Sequence, residues 1–486
     1  MKKYNLFLLF FGLGVFMQVN AQFDANYIEN AYTLDNQSGA TARYKALGGA
    51  MTALGGDMSA AADNPAGLAV FNTSEISFSF GINTTNNEVP GYVDGLGSRL
   101  AIKESTTKLK FNQIGGVLVF ETPDLEWKSF ALGINSQNVG QVNEAISVGR
   151  DTGIDLIDIP ANRTFNGYSS YINGSNYRTN LTFAGNYQNN FYIGGSLDFY
   201  NSNKEIQNIF SEEAEDINGK YFNTYQKSDS PLTENGTGFG LSLGLIYKPI
   251  QEVRLGLSYK SPVWWTITRQ VPVYEEFSYV DGPDTFYYRE LTNFSLNDYE
   301  LTTPSTLSFG GAYIFGKKGL LSIDYSLKDY RGMRLRTAAN FPLENQLIDN
   351  AFQSTSAVKI GAEYRVNDIF TLRGGYRFEQ SPINRDKLIS YDSTTGYSMN
   401  YYGDIKGFSA GLGLKFNKAW YLDFSYTNLS RDKDLFIYGT HYDLNSDVLD
   451  GGDIITNFTP SGEGTVTVQN IKEVNHNISF TLGFRF

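Results

Sequence analysis

Apolar side chains in this chain recur at every second position in short runs, and after the first twenty residues no apolar run is long enough to cross a membrane as a helix. At the C-terminus His476, Ile478, Phe480, Leu482, Phe484 and Phe486 alternate with Asn477, Ser479, Thr481, Gly483 and Arg485. The alternation returns in Ile76, Phe78, Phe80 and Ile82, in Val253, Leu255, Leu257 and Tyr259, and in Leu321, Ile323, Tyr325 and Leu327. A strand sends successive side chains to opposite faces, so each run has one greasy and one polar face. Fourteen strand cores are predicted, at 74–84, 108–120, 128–138, 179–189, 191–202, 238–248, 253–263, 306–316, 320–330, 356–366, 370–380, 405–416, 420–430 and 474–486.

The connections between these cores alternate in length. Short ones lie at 188–190, 248–252, 316–319, 366–369 and 417–419. Long ones cover 85–107, 139–178, 203–237, 264–305, 331–355, 381–404 and 431–473. Tight periplasmic turns and extended outer loops are the pattern of a bacterial outer-membrane barrel. Lipid forces closure, because an open sheet edge leaves amides with no partner. Aromatic residues mark both rims: Trp127, Phe130, Tyr247, Phe370, Trp420 and Tyr421 at the turn ends, and Tyr200, Tyr259, Tyr330 and Phe378 at the loop ends. The fold class is therefore all-β, a closed 14-stranded antiparallel transmembrane β-barrel in the cell outer membrane.

Composition narrows the function. A net charge of −12 argues against a nucleic-acid partner, which needs clustered cations. The absence of Cys removes thiolate chemistry and iron–sulfur clusters, and two His residues give little support to a metal site or a haem receptor. No cofactor is expected. An outer-membrane hydrolase lacks a placed base, since His476 has lipid-facing parity and His441 stands alone in a loop. A structural or adhesive barrel stays open. Residues 1–21, with Lys2, Lys3, an apolar run to Met17 and Ala21, read as a signal peptide.

Residues 22–70 do not alternate. Ala42–Leu54 and Asp57–Asp63 read as short helical pieces, the second with Asp57 as N-cap, and Asn64, Pro65, Ala66, Gly67 and Leu68 follow as a stop and turn. The stretch Gly39–Leu68, with Ala42, Arg43, Gly48, Gly49, Ala50, Ala53, Asp57, Ala60 and then Asn64–Leu68, resembles the hatch of the FadL and TodX family of outer-membrane transporters of long-chain fatty acids and other hydrophobic compounds. The resemblance implies a fourteen-stranded barrel (71–486, with seven long outer loops) whose lumen is plugged by a partly helical hatch (22–70). It carries the family's Asn-Pro-Ala element over to Asn64, Pro65 and Ala66, with Gly67 beside them. It also implies passive uptake without ATP: capture at outer loops, binding in the lumen, hatch movement, and a sideways exit, placed at the strand 128–138 where Gly133 would weaken pairing.

Ligand-contact residues do not carry over, so candidates come from the pattern. Ile206, Ile209 and Phe210 have the spacing of one face of a helical turn, and Trp264 and Trp265 open an aromatic loop. They form either a capture groove for a greasy solute or ordinary loop packing. Parity turns Arg254, Ser258 and Lys260 inward, with Lys359, Glu363 and Arg365 on one strand and Arg373, Arg377 and Glu379 on its hairpin partner. These charges form a structural ladder, or else Arg377 or Lys359 holds a substrate carboxylate. The expected partners are a hydrophobic small molecule, outer-membrane lipid, and the barrel-assembly machinery through the terminal Phe486. Epitope tags near Asn218 or Asp447 are expected to bind antibody on intact cells, and a tag near Lys317 is not; surface labelling at Lys317 would reverse the orientation.

Overall fold

The computed structural model describes residues 27–29, 34, 39–90, 93–94, 97–98, 101–123, 126–149, 155–157, 163–215, 221–227, 232–281, 284–336, 341–389, 399–448 and 454–486. The predicted signal peptide lies outside them. Fourteen strands build the wall: β1 (Glu75–Val89), β2 (Ile102–Glu121), β3 (Trp127–Gly149), β4 (Arg163–Tyr187), β5 (Phe191–Glu215), β6 (Leu232–Tyr247), β7 (Val253–Lys260), β8 (Thr306–Phe315), β9 (Gly319–Asp329), β10 (Ser354–Arg365), β11 (Phe370–Glu379), β12 (Ile405–Lys415), β13 (Trp420–Val448) and β14 (Ile454–Arg485). Each pairs antiparallel with its neighbours in chain order. The barrel closes where β1 meets β14, from Glu75 opposite Arg485 to Glu88 opposite Lys472. No helix among the described residues is long and apolar enough to cross a membrane.

Alternation follows the lipid. Leu255, Leu257 and Tyr259 point out and are well exposed, while Gly256 and Ser258 between them are buried inside. The same holds for Leu321, Ile323 and Tyr325 against Ser322 and Asp324. An apolar outer face is what a hydrocarbon surround stabilises, and inward positions are free to be polar.

Several predicted loops are strands. β4 and β5 run for 25 residues each, and β14 for 32, far beyond the roughly 10 needed to span the hydrocarbon layer. Beyond the lipid both faces of a hairpin can be polar, so the backbone ladder continues after the hydrophobic signal has ended. Ile206, Ile209 and Phe210 accordingly lie on β5, not on a helical turn. The expected loop 264–305 is a hairpin of Trp264–Asp281 with Asp284–Thr302. Proline separates it from the wall strands: Pro262 lies between β7 and its first arm, and Pro304 between its second arm and β8. Neither proline has an N–H to give to the ladder.

Residues 39–71 fill the lumen. α1 (Ala42–Ala46) is capped by Thr41, and α2 (Met58–Asp63) by Asp57, whose Oδ1 accepts from Ser59 N at 2.8 Å and Ala60 N at 3.2 Å. A 3-10 helix, Pro65–Val70, follows. The first predicted helical piece stops at Ala46 rather than Leu54, because Gly48 and Gly49 adopt φ of +63° and +77° and turn the chain. Asn64 is fully buried and joins the pieces: its Oδ1 accepts from Ala66 N, and its Nδ2 donates to Thr52 O at 2.7 Å and to Leu245 O of the wall at 3.1 Å.

The hatch backbone lies against wall glycines. A Cβ on Gly256 would stand 2.5 Å from Thr52 O, one on Gly194 2.6 Å from Pro65 O, and one on Gly375 or Gly411 would collide with Gly48 or Ala46. Gly133 belongs to this set: its missing Cβ makes room for Leu68, and its pairing with Val117 and Thr182 is intact. The expectation that Gly133 weakens the wall is therefore corrected. Gly375→Val is expected to leave a folded barrel, judged by heat-modifiable gel migration, with raised conductance in planar bilayers. Unchanged conductance would mean that the hatch does not depend on this contact.

Candidate solute path through lumen and wall

Polar contacts hold the hatch around its whole circumference. Ala42 N donates to Thr481 Oγ1 at 2.7 Å, Thr52 N to Asp324 Oδ2 at 2.8 Å, and Arg254 Nη1 to Leu54 O at 2.7 Å. Ser322 Oγ and Ser409 Oγ donate to the carbonyls of Ala50 and Ala46 at 2.7 and 3.0 Å. Arg43 bonds Glu363 at 3.0 Å, and Glu363 also receives Arg373 at 2.8 Å.

The strongest charge cluster centres on Asp63, at the end of α2. Lys260 Nζ is 2.6 Å from its Oδ1, Arg178 Nη2 lies 3.8 Å away, and the Tyr44 hydroxyl also bonds the carboxylate. Ser258 Oγ donates to the Asp63 carbonyl at 2.6 Å. Burial alone would push the Asp63 carboxyl up, but Lys260, Lys359 and Arg178 outweigh it and hold the group below the usual carboxylate range.

The parity-derived residues thus come together on the hatch. Lys260 pairs with Asp63; Lys359 stands in register with Asp324 on one side and Arg377 on the other; Arg377 pairs with Glu379. Lys260, Lys359, Arg377 and Glu379 line one small lumen cavity with Thr52 and Asp63. Arg365 has inward parity too, yet is exposed at the turn-side rim.

The outer candidates separate. Trp264 points away from the lumen, about half exposed, and stacks near Phe239. Trp265, one position on, is buried with Tyr299, Leu301, Leu347, Ile348 and Phe352 in an apolar cluster under the outer loops. Tyr200 and Tyr330, expected at the rim, also turn inward to this cluster. Tyr27, Ile28 and Leu34 from the N-terminal segment are part of it, and Tyr27 lies under the Arg269 guanidinium at 4.1 Å. Ile209 is half-buried on β5; the Phe210 side chain lies outside the described residues.

A gap in the wall was not legible in the alternation. β2 and β3 pair only from Glu121–Ser129 up to Gln113–Gln137. Beyond that point Gln137, Asn138, Val139 and Gly140 are all buried, so β3 no longer has a lipid face and has turned into the lumen. Its pairing with β4 continues across a bulge at Asn138. Across the place it left, Lys108 of β2 reaches Asn173 of β4 at 2.8 Å, and Leu109, Lys110, Phe111, Ser175 and Tyr177 line a cleft between the two strands. The freed edge of β3 is satisfied from inside: Gly39 N donates to Asn138 O at 2.7 Å, and Asn87 Nδ2 to Ala145 O at 3.1 Å.

A closed wall and a lumen filled by a docked segment define a plugged membrane barrel. The model of the outer membrane protein transport family OMPP1/FadL/TodX matches residues 25–446. The chain belongs to this family of outer-membrane transport proteins. A match to outer membrane protein P1 of Haemophilus influenzae is 25% identical over 199 residues, covering 40% of this chain and 39% of that protein, well under two thirds of its length. Among solved structures, the Pseudomonas putida toluene transporter TodX is 14% identical with a TM-score of 0.55, over 93% of this chain and 100% of that one. A Pseudomonas aeruginosa FadL homologue gives 14% and 0.55, over 93% and 99%. These likenesses establish the shared fold.

Asp63→Asn leaves Lys260 and Arg178 facing a neutral amide in the lumen. Losing one partner of a buried pair costs about 3 kcal/mol, so hatch docking is expected to loosen, read as faster trypsin cleavage at Arg43 or Lys45 in folded barrels. Adding Lys260→Met is expected to reverse part of the effect. Equal cleavage in all three proteins would remove Asp63 from the docking contacts.

Proposed function

We propose that the protein takes up hydrophobic molecules such as long-chain fatty acids by passive diffusion, with the gap beside β3 as the way out of the lumen. The departure of β3 from the wall carries this reading. With the hatch packed on the wall from Ala42 to Val70, the straight axial route is filled, and a lateral exit needs no water-filled path for an apolar solute. The outer apolar cluster around Trp265 is where the chain's own Tyr27 and Ile28 are buried, which makes it a surface suited to a hydrocarbon tail. Each methylene transferred there contributes about 0.8 kcal/mol. Capture beneath the outer loops, passage along the hatch and release toward lipid then require only displacement of docked segments. Trp264 meets outer-membrane lipid, and the exposed Phe486, its N–H donating to Ser74 O at 3.0 Å, is presented to the barrel-assembly machinery.

The native chain has no cysteine, so a paired-cysteine test is clean. Lys108→Cys with Asn173→Cys, joined by a short bis-maleimide, is expected to block uptake of a labelled hydrophobic solute while each single variant, treated alike, transports normally. Undiminished uptake in the cross-linked protein would exclude the gap as the exit.

A further inference from the structure

Three neighbouring turns on one side of the barrel gather cations without a counter-charge. The β8–β9 turn exposes Lys317 and Lys318, Arg365 is exposed where β10 ends, and Lys415 and Lys418 are exposed at the β12–β13 turn. Against these five cations the same exposed arc carries one acidic side chain, Asp368. Among the described residues none of the five is in an ion pair, whereas Arg373 inside the wall is engaged by Glu363 at 2.8 Å and Asp423 at 2.6 Å. The outer rim is balanced: Lys103 has Glu88 at 3.5 Å, and Lys472 lies in register with Glu88 on one side and Asp432 on the other.

The backbone fixes these turns to one another. Arg365 N donates to Lys318 O at 2.7 Å, and Lys415 N to Ile369 O at 3.0 Å, so each cationic turn is joined to the next. Two of the turns share one build: Asn367 Oδ1 accepts from Ile369 N and Phe370 N, and Asn417 Oδ1 from Ala419 N and Trp420 N, all at 2.8 Å. An asparagine closing its own turn in this way holds the backbone on which the charges stand. Adjacent turns are two strands, or about 10 Å, apart. That is about one Debye length at 0.1 M salt, so the cations act together as one field. Phe315, Phe370, Phe416 and Trp420 stand beside them, well exposed as rings at a lipid boundary are. The turns across the barrel lack this charge. Gln188, Asn189 and Asn190 join β4 to β5 without any, Lys248 is offset by Glu252 in the β6–β7 turn, and Glu121 and Glu126 outnumber Lys128 around the β2–β3 turn.

We propose that the turn-side arc from β8 to β13 is a docking surface for the head groups of anionic phospholipids in the leaflet that the turns face. Charge complementarity and position select this occupant. The cations adjoin aromatic rings that already meet hydrocarbon, so a lipid can place its acyl chains on Phe315, Phe370, Phe416 and Trp420 while its phosphate meets Lys317, Lys318, Arg365, Lys415 or Lys418. Long cationic side chains reach from such a boundary to the head-group level. Each cation near an anionic lipid surface strengthens the attraction about fivefold. The far side of the barrel, with no such excess, is left to neutral lipid. This surface rests on turns outside the lumen and owes nothing to the route the solute takes.

Purified protein in nanodiscs of equal parts phosphatidylglycerol and phosphatidylcholine, released into mild detergent, tests the assignment through the lipids it retains, counted by native mass spectrometry. The unaltered protein is expected to retain the anionic lipid about tenfold over the zwitterionic one. A variant combining Lys317→Gln, Lys318→Gln, Lys415→Gln and Lys418→Gln is expected to bring the two within about twofold. These positions are exposed and unpaired, so the barrel is expected to keep its heat-modifiable gel migration. Lys103→Gln with Lys472→Gln, which removes as exposed a pair of charges from the outer rim, is expected to leave the preference as it was. Equal retention of both lipids by the unaltered protein, an unchanged preference in the four-lysine variant, or an equal loss in the outer-rim variant overturns the docking surface. Displacement of the anionic lipid by soluble glycerol phosphate, or by polyglutamate, would assign the arc to a free anion or to an acidic protein and likewise overturn it.

Discussion

Backbone hydrogen bonding in a medium without water is the constraint on which the rest of this structure depends. Every amide of the wall must find a partner within the protein, because each one left unpaired in hydrocarbon costs several kcal/mol. Closure of β1 on β14 meets that demand at the edges. The same demand explains how the wall can carry a gap. β3 parts from β2 only by swinging its free edge inward, where Gly39 and Asn87 take up the carbonyls of Asn138 and Ala145. The gap is therefore a product of hatch and wall together.

Once the wall is closed, its interior becomes a place where polar groups are cheap only if they are paired. The hatch provides that pairing. Its backbone lies in a track of glycines, its carbonyls receive Ser322, Ser409 and Arg254, and its carboxylate Asp63 neutralises cations from the wall. Close packing and charge pairing act on the same segment, so the plug is held firmly yet by contacts that are individually modest.

Much of this is legible in the sequence. Strand cores, their number and their inward parity followed from alternation, as Leu255 and Leu257 against Ser258 and Lys260 show. Asp57 as a cap and Asn64–Pro65 as the break after α2 followed from local chemistry. The outer halves of β4 and β5 were missed because, outside lipid, nothing requires an apolar face. The glycine track had a signal that alternation alone does not read: Gly256, Gly361, Gly375 and Gly411 all fall on inward parity, where a side chain would otherwise be expected.

What the sequence determined by itself is one-dimensional: which residues face lipid, how many times the chain crosses, and where it cannot be helical. Those properties depend on period and solvent, and both are local. Tertiary structure alone decided that Trp264 and Trp265 serve opposite sides of the wall at the outer rim, that Lys260 meets Asp63, and that the hatch backbone lies on the wall glycines Gly256 and Gly375. Each of these pairs residues far apart in the chain or depends on where a strand bends, and neither closure register nor the inward turn of β3 leaves a trace in neighbouring residues.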